Sequence, residues 1–476
     1  MLKGSSLYMV ALIAPNLLSL VLTPLIVRRL SQQQYGALDL LQQISVVASI
    51  LLGLKITVGL GYFYFRPDAD RSKVVGTALS AATLLGAVTG ILGWIASDFL
   101  SSNFFHSPDY ALFLKLIFAG MPAVFLLEGG LGWLRVEDRA SLFSLLSIIK
   151  LLLTGGGTVF LLLQGFQIGG VVGANLLAAA VVALVVAGVA FRSHGLKIDR
   201  GVLVGMLRFA IPSTLSGLAL FVIHFLDRFV IPLYWPLETL AIYAIAYKLG
   251  MLLNPLQAAF EAYWGAQIYT IIHREDARLI VARTFTYLAI LMSFCGMGIL
   301  FFADPALRIL TTPNYYSAIV LVPIILASYY VRALGDFFRY IFLALGLPSR
   351  EAICNWITAV FALIAYFIFI PRYGAAGAAW STLATFILSS TLSFAWSYRI
   401  WPFRLELARL SKLAAVCGLL VLLHLVAPDP ATLGGIATRA TLLLAFPALL
   451  WTARFATPGE LEIIANLRKR LPVQLG

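Results

Sequence analysis

The chain has 476 residues, 61% of them hydrophobic and 12% charged, with a mean hydropathy of +0.94 and a formal net charge of +13. Soluble domains carry about 25% charged residues, so a soluble globular protein is excluded, and runs of about 20 mostly apolar residues along the whole length read as helical membrane spans. The basic excess falls in short connections between those runs, not on an exposed face, which argues against nucleic-acid binding.

The expected architecture is an all-α polytopic membrane protein with about fourteen spans. They fall at roughly 5–28, 36–62, 74–97, 110–134, 141–163, 168–191, 208–233, 238–262, 282–303, 316–345, 351–370, 374–398, 410–427 and 434–455. The first ends at Arg28-Arg29 without a small-residue cleavage site and reads as a retained anchor. Twenty-two Lys and Arg residues gather on one side of the spans and six on the other, which places both termini in the cytoplasm. The three cysteines, Cys295, Cys354 and Cys417, all lie in spans and read as small packing residues. The aromatics near span ends, among them Trp235 and Trp264, read as interface belts.

A weak repeat runs through the first twelve spans. Gly170-Val-Val-Gly173-Ala174 opens the sixth and Gly374-Ala-Ala-Gly377-Ala378 the twelfth; Pro15-Asn-Leu-Leu-Ser19 lies in the first and Pro212-Ser-Thr-Leu-Ser216 in the seventh. Both offsets are near 200 residues. That predicts two pseudo-symmetric six-helix bundles, 1–195 and 196–400, with 401–476 adding two helices and a tail.

Eleven charged side chains fall inside spans: Asp39, Lys55, Glu128, Lys150, Asp227, Arg228, Lys248, Glu261, Arg332, Asp336 and Arg339. Each costs about 2.5–3.5 kcal/mol or more in lipid, so most must face one another or a polar cavity. At 100° per residue, Arg332, Asp336 and Arg339 share an arc of about 60°. Tyr243, Tyr247, Asn254, Gln257 and Glu261 fall within about 80°, and Ser213, Gly217, His224, Asp227 and Arg228 within about 100°. Asp39, Gln42, Gln43, Ser49 and Gly53 form another stripe. Lys150 and Lys248 lie near the midplane, while Lys55 and Glu261 are placed to reach the interface. Cations at several depths suit an anionic head group that passes through. Arg332–Asp336–Arg339 and Asp227–Arg228 read equally as neutralised pairs that hold helices together. Glu128 reads as a gate or a proton or sodium site. No P-loop and no His-Glu-x-x-His occurs, and no enzyme, metal site or cofactor is expected beyond Na+ or H+ coupling.

Three segments in order resemble one family. Leu30-Ser-Gln-Gln-Gln-Tyr35-Gly36 is similar to an L-x-x-x-x-Y-G signature. Asp227-Arg228-Phe229, followed by Ala241-Ile-Tyr243-Ala-Ile-Ala-Tyr247-Lys248, is similar to D-R-F…G-x-Y-x-x-A-Y-K, with Ala241 in place of glycine. Ile370-Pro371-Arg372-Tyr373-Gly374-Ala-Ala-Gly377-Ala378-Ala379 is similar to I-P-x-x-G-x-x-G-A-A. The family is that of the bacterial Wzx-type O-antigen and exopolysaccharide flippases of the multidrug/oligosaccharidyl-lipid/polysaccharide exporter superfamily. The resemblance implies a multi-pass inner-membrane carrier that moves undecaprenyl-pyrophosphate-linked oligosaccharide repeat units from the cytoplasmic to the periplasmic leaflet by alternating access. On that basis Arg332, Arg339, Lys248, Lys150 and Arg228 are expected to hold the pyrophosphate or acidic sugars, and Tyr247, Gln257 and Asn254 the sugars. Asp39, Asp227, Asp336 and Glu128 are expected to gate the path or carry a coupling ion. Expected partners are the lipid-linked oligosaccharide, membrane lipid, a polysaccharide polymerase and glycosyltransferases, with no nucleic acid. The alternatives are an ion-coupled multidrug or cation antiporter of the same superfamily, and a membrane-embedded glycan polymerase or ligase.

Overall fold

The computed structural model describes residues 2–52, 56–195, 198–429, 432–457 and 459–460, apart from the side chains of 2–13, 16, 51–52, 56–58, 209, 212, 213 and 215. Gly53 and Lys55 lie outside the described residues, and the Ser213 side chain is not described. Among the described residues every regular element is helical: α1 (Leu2–Arg29), α2 (Gln32–Leu52), α3 (Ile56–Tyr64), α4 (Arg71–Leu100), α5 (Ala111–Ala119), α6 (Met121–Val136), α7 (Ala140–Leu163) and α8 (Gln167–His194). They continue with α9 (Arg200–Tyr234), α10 (Leu237–Gly250), α11 (Asn254–Ile271), α12 (Ala277–Leu310), α13 (Val322–Ala344), α14 (Pro348–Ile400), α15 (Leu407–Leu425) and α16 (Leu433–Thr452).

Among the described residues nine helical stretches are long and apolar enough to cross a membrane, or up to eleven if two bent pairs each count as one span. The all-helical membrane class expected from the sequence is therefore present, while the count of fourteen spans is not confirmed among the described residues. α1, and α2 with α3, fall outside the count, and α14 enters it once although it is broken. Apolar exposure on α4 runs along one stripe, Leu84, Val88, Ile91, Ile95 and Phe99. Spacings of three and four put these side chains on one helix face, the face a lipid-exposed span presents.

The chain divides into two compact units. The first comprises Met1–Lys248, Ile309–Ile325 and Ala352–Ser389; the second comprises Leu249–Arg308, Leu326–Glu351 and Ser390–Gly476.

In the first unit, one core gathers Leu60, Val75, Leu127, Trp133, Val182, Val186 and Met206 from α3, α4, α6, α8 and α9. Another joins Ala219 and Ile223 of α9 to Ala359 and Phe386 of α14. Two helix starts are capped at connections: Asp70 accepts from the Ser72 and Lys73 amides, and Asp199 from the Val202 amide at 3.0 Å. Such caps satisfy amides that have no partner within the helix. The tyrosine–glycine pair at 35–36 has a steric cause. A Cβ on Gly36 would lie 2.0 Å from the Leu237 carbonyl oxygen, so only glycine lets the starts of α2 and α10 meet.

α14 breaks at Gly374, whose φ is +56°. The Trp235 indole N–H donates to the Ile370 carbonyl, four residues before the break, at 2.9 Å. Trp235, expected to be an interface aromatic, is thus a clamp on this break.

In the second unit, Met297, Phe301, Leu413, Leu420, Phe446 and Leu450 form the core between α12, α15 and α16. α15 and α16 bury only about a fifth of their apolar windows, 17% and 22%, so they fringe this unit. Trp264 stacks on Phe337 at 4.7 Å with 14° between the rings, so it too is core and not belt.

Candidate functional site

The intramembrane charges fall into three groups, two in the first unit and one in the second. The first group is built by α1, α2, α9, α10 and α14. Asp227, 1% exposed, accepts a short hydrogen bond from the Tyr243 hydroxyl and a longer one, 3.5 Å, from Thr382. Its other oxygen accepts from the Arg228 backbone amide at 2.9 Å. Thr382 also lies 3.4 Å from the Tyr366 hydroxyl, which donates to the Ile223 carbonyl. Asp227 is thus held by hydroxyls and an amide, and although no salt bridge joins it to the neighbouring guanidinium the two charges attract each other, as expected of an Asp227–Arg228 pair.

The Arg228 guanidinium meets Asp39 of α2 at 3.9 Å and covers the Tyr247 ring at 4.4 Å. Both interactions favour a buried cation. Asp39 Oδ2 and Arg228 Nε are nevertheless buried without a hydrogen-bond partner among the described residues. Lys248 stands in the last turn of α10, where the helix dipole favours a positive charge. Its ammonium donates to Thr23 Oγ1 at 3.0 Å and lies 5.8 Å from the centre of the Tyr35 ring. Among the described residues it has no ion pair with a carboxylate. Tyr35 packs edge-on against Tyr315 at 5.8 Å.

The second group lines an open cavity of about 800 Å³ bounded by α1, α2 and α4–α8. Glu128 of α6 and Lys150 of α7 both face it, with Gln42, Ser45 and Ser49 of α2 and Asn175 of α8. Neither charged side chain makes an ion pair or a hydrogen bond among the described residues.

The third group lies in the second unit. Arg332 Nε is 3.3 Å from Asp336, and Arg339 reaches Glu261 at 3.7 Å and Glu351 at 3.2 Å. Gln257 donates to Asp336 and to Glu261, both at 2.7 Å, and Tyr340 donates to Glu261 at 3.2 Å. Three carboxylates and two guanidiniums therefore close on themselves. Glu261, expected to escape to the interface, is bound into this network instead.

The expected stripe from Tyr243 to Glu261 is divided. A 3-10 turn, Met251–Leu253, separates α10 from α11, with Pro255 next to the α11 start. Tyr243, Tyr247 and Lys248 belong to the first unit, and Asn254, Gln257 and Glu261 to the second. Asn254 takes no part in the third group. Sequence reasoning missed Thr23, Tyr35, Tyr366, Thr382 and Glu351. The hydroxyls carry no charge signal, and Glu351 sits in the first turn of α14. Among the described residues no cluster of three His, Cys, Asp or Glu side chains could hold a metal ion.

A family profile described as polysaccharide biosynthesis protein matches residues 1–260. No curated protein matches the chain in sequence. Among solved structures, the lipid II flippase MurJ in an inward closed conformation aligns with a TM-score of 0.77 at 11% identity, over 96% of this chain and 100% of that one. An inward-facing multidrug resistance MATE family transporter of the MOP superfamily aligns with a TM-score of 0.68 at 19% identity, over 81% and 94%. A MOP superfamily transporter from Pyrococcus furiosus, described as having a binding pocket of reverse polarity, aligns with a TM-score of 0.54 at 16% identity, over 83% and 95%. At such identities the likeness is one of fold.

Proposed function

The chain belongs to the polysaccharide biosynthesis protein family and has the multi-pass fold of the MOP-superfamily transporters, and from that premise we propose that it is a flippase for lipid-linked oligosaccharides. Its cargo is an undecaprenyl-pyrophosphate-linked repeat unit for a surface polysaccharide, O-antigen or exopolysaccharide. It moves this from the cytoplasmic to the periplasmic leaflet of the bacterial inner membrane, with both termini in the cytoplasm, alongside the polymerase and glycosyltransferases of the same glycan.

The observation that carries this reading is Lys248. An ammonium that meets a hydroxyl and an aromatic ring but forms no ion pair among the described residues is costly in a bilayer. It becomes favourable when an anion comes to it. Arg228, with an unsatisfied Nε beside it on α9, supplies a second cation. Together they suit a diphosphate, which takes charge-assisted hydrogen bonds from both. Arg332 and Arg339, paired with Asp336, Glu261 and Glu351, serve as exchangeable partners for acidic groups of the cargo. Asp336 is then a gate in the same network. Tyr247, Asn254 and Gln257 are assigned to the sugars, which reach the buried Tyr247 and Gln257 only in a more open state. Alternating access takes place between two six-helix bundles, 1–195 and 196–400, with 401–476 as an addition.

The test is complementation. In a strain that depends on this protein for surface glycan, the wild-type gene restores the glycan. Lys248→Met at equal protein level leaves lipid-linked repeat units on the cytoplasmic face. Full glycan export by Lys248→Met and Arg228→Met together removes the reading.

A further inference from the structure

The cavity of the first unit presents one carboxylate and one ammonium that do not meet. Glu128 and Lys150 sit on neighbouring antiparallel helices and line the same space of about 800 Å³, yet no ion pair joins them among the described residues. The two charges attract across the cavity, but with no ion pair or hydrogen bond between them each still presents polar atoms to the space they share. Each is open to the cavity, so the missing partners are ones a ligand can bring.

The sign pattern narrows the ligand. A simple anion satisfies Lys150 and is repelled by Glu128; a simple cation does the reverse. Only a ligand with both charges answers both groups at once. Gln42, Ser45, Ser49 and Asn175 offer neutral donors and acceptors along the same walls, which suits the polar atoms between two charged ends. Leu38, Leu41 and Val172 supply apolar wall. The lining includes none of Asp39, Arg228 and Lys248, so this site is distinct from the one assigned to the diphosphate.

We propose that this cavity binds a zwitterionic aminoalkyl phosphate, its primary ammonium on Glu128 and its phosphate on Lys150. A primary ammonium carries N–H donors for the Glu128 carboxylate, which a quaternary ammonium lacks. The same chemistry occurs in a phosphatidylethanolamine headgroup and in an aminoethyl phosphate substituent on a glycan.

The experiment reads binding to the purified full-length protein in phosphatidylglycerol nanodiscs, so its outcome is independent of transport. The probes are soluble O-phosphoethanolamine and dihexanoyl-phosphatidylethanolamine, with phosphocholine and inorganic phosphate for comparison. At least one phosphoethanolamine probe binds saturably, about tenfold or more tighter than phosphocholine and inorganic phosphate. Glu128→Gln and Lys150→Gln each weaken that binding by about tenfold or more. The exchanged pair, Glu128→Lys with Lys150→Glu, restores it to within about threefold, and it keeps the test decisive if a single variant fails to fold. Binding of the soluble probe points to a glycan substituent; binding of the lipid probe alone points to the headgroup. Equal binding of inorganic phosphate, binding indifferent to Glu128→Gln, or no binding of either probe overturns the proposal.

Discussion

Lys248 donates to the Thr23 hydroxyl at 3.0 Å, and Thr23 in turn donates to the Ser19 carbonyl at 2.7 Å. The hydroxyl proton is committed to α1, so a lone pair is left facing the ammonium. The lysine is oriented without being neutralised, which is the state an anion-binding cation needs before its ligand arrives. Arg228 contrasts with it, having Asp39 at 3.9 Å.

Asp227 takes a short hydrogen bond from the Tyr243 hydroxyl. Tyr243→Phe removes one hydroxyl donor from a buried carboxylate, and the expected cost is about 1–3 kcal/mol. Denaturant unfolding of the detergent-solubilised protein measures it. A double-mutant cycle with Asp227→Asn should give a coupling of about 0.5–3 kcal/mol; strict additivity contradicts the assignment.

The break in α14 rests on Gly374 and Trp235. Gly374→Ala places a Cβ at a φ of +56° and 3.2 Å from the Trp235 ring, for an expected loss of about 1–3 kcal/mol. Trp235→Phe keeps most of the packing but removes the indole donor to the Ile370 carbonyl. Amide exchange should then quicken around residues 370–374 while α4 is unchanged.

The closed network of the second unit answers to Arg339. Arg339→Met leaves Glu261 and Glu351 facing one another without their shared cation, with an expected loss of about 1–3 kcal/mol. The side chains are partly exposed, which keeps the cost below that of a fully buried pair. Thermal unfolding should show Glu351→Gln as milder, because Arg339 retains Glu261.

The start of α9 should respond to acid. The Val202 amide, donating to Asp199, holds that carboxyl below its ordinary range. A lowered pKa in the folded state means a contribution present above the unfolded pKa and lost as pH falls through the folded one. Exchange at the Val202 amide should therefore quicken below the usual carboxylate range. Asp199→Asn should keep the cap and abolish that pH dependence.

Much of this was legible in the sequence, for particular reasons. Apolar runs identify membrane helices because lipid demands them. Helical spacing correctly grouped Arg332, Asp336 and Arg339 on one α13 face, since that stretch is a regular helix. The same arithmetic assumes constant pitch, and a 3-10 turn lies between Tyr247 and Asn254. Glu261 was misjudged because distance from a span end says nothing about Gln257, Tyr340 or Arg339. Thr23 and Thr382 were invisible as isolated hydroxyls. Gly36 was visible as a motif, but its cause, the Leu237 carbonyl, lies about 200 residues away in the chain.

The most direct test is reconstituted transport. Proteoliposomes carrying the full chain and a fluorescent short-chain polyprenyl-pyrophosphate disaccharide report how fast the sugar becomes accessible to a membrane-impermeant quencher. The wild type should move it; Lys248→Arg should keep most of the rate, and Lys248→Met should lose about tenfold or more. A Lys248→Met protein that matches the wild-type rate at equal incorporation contradicts the account.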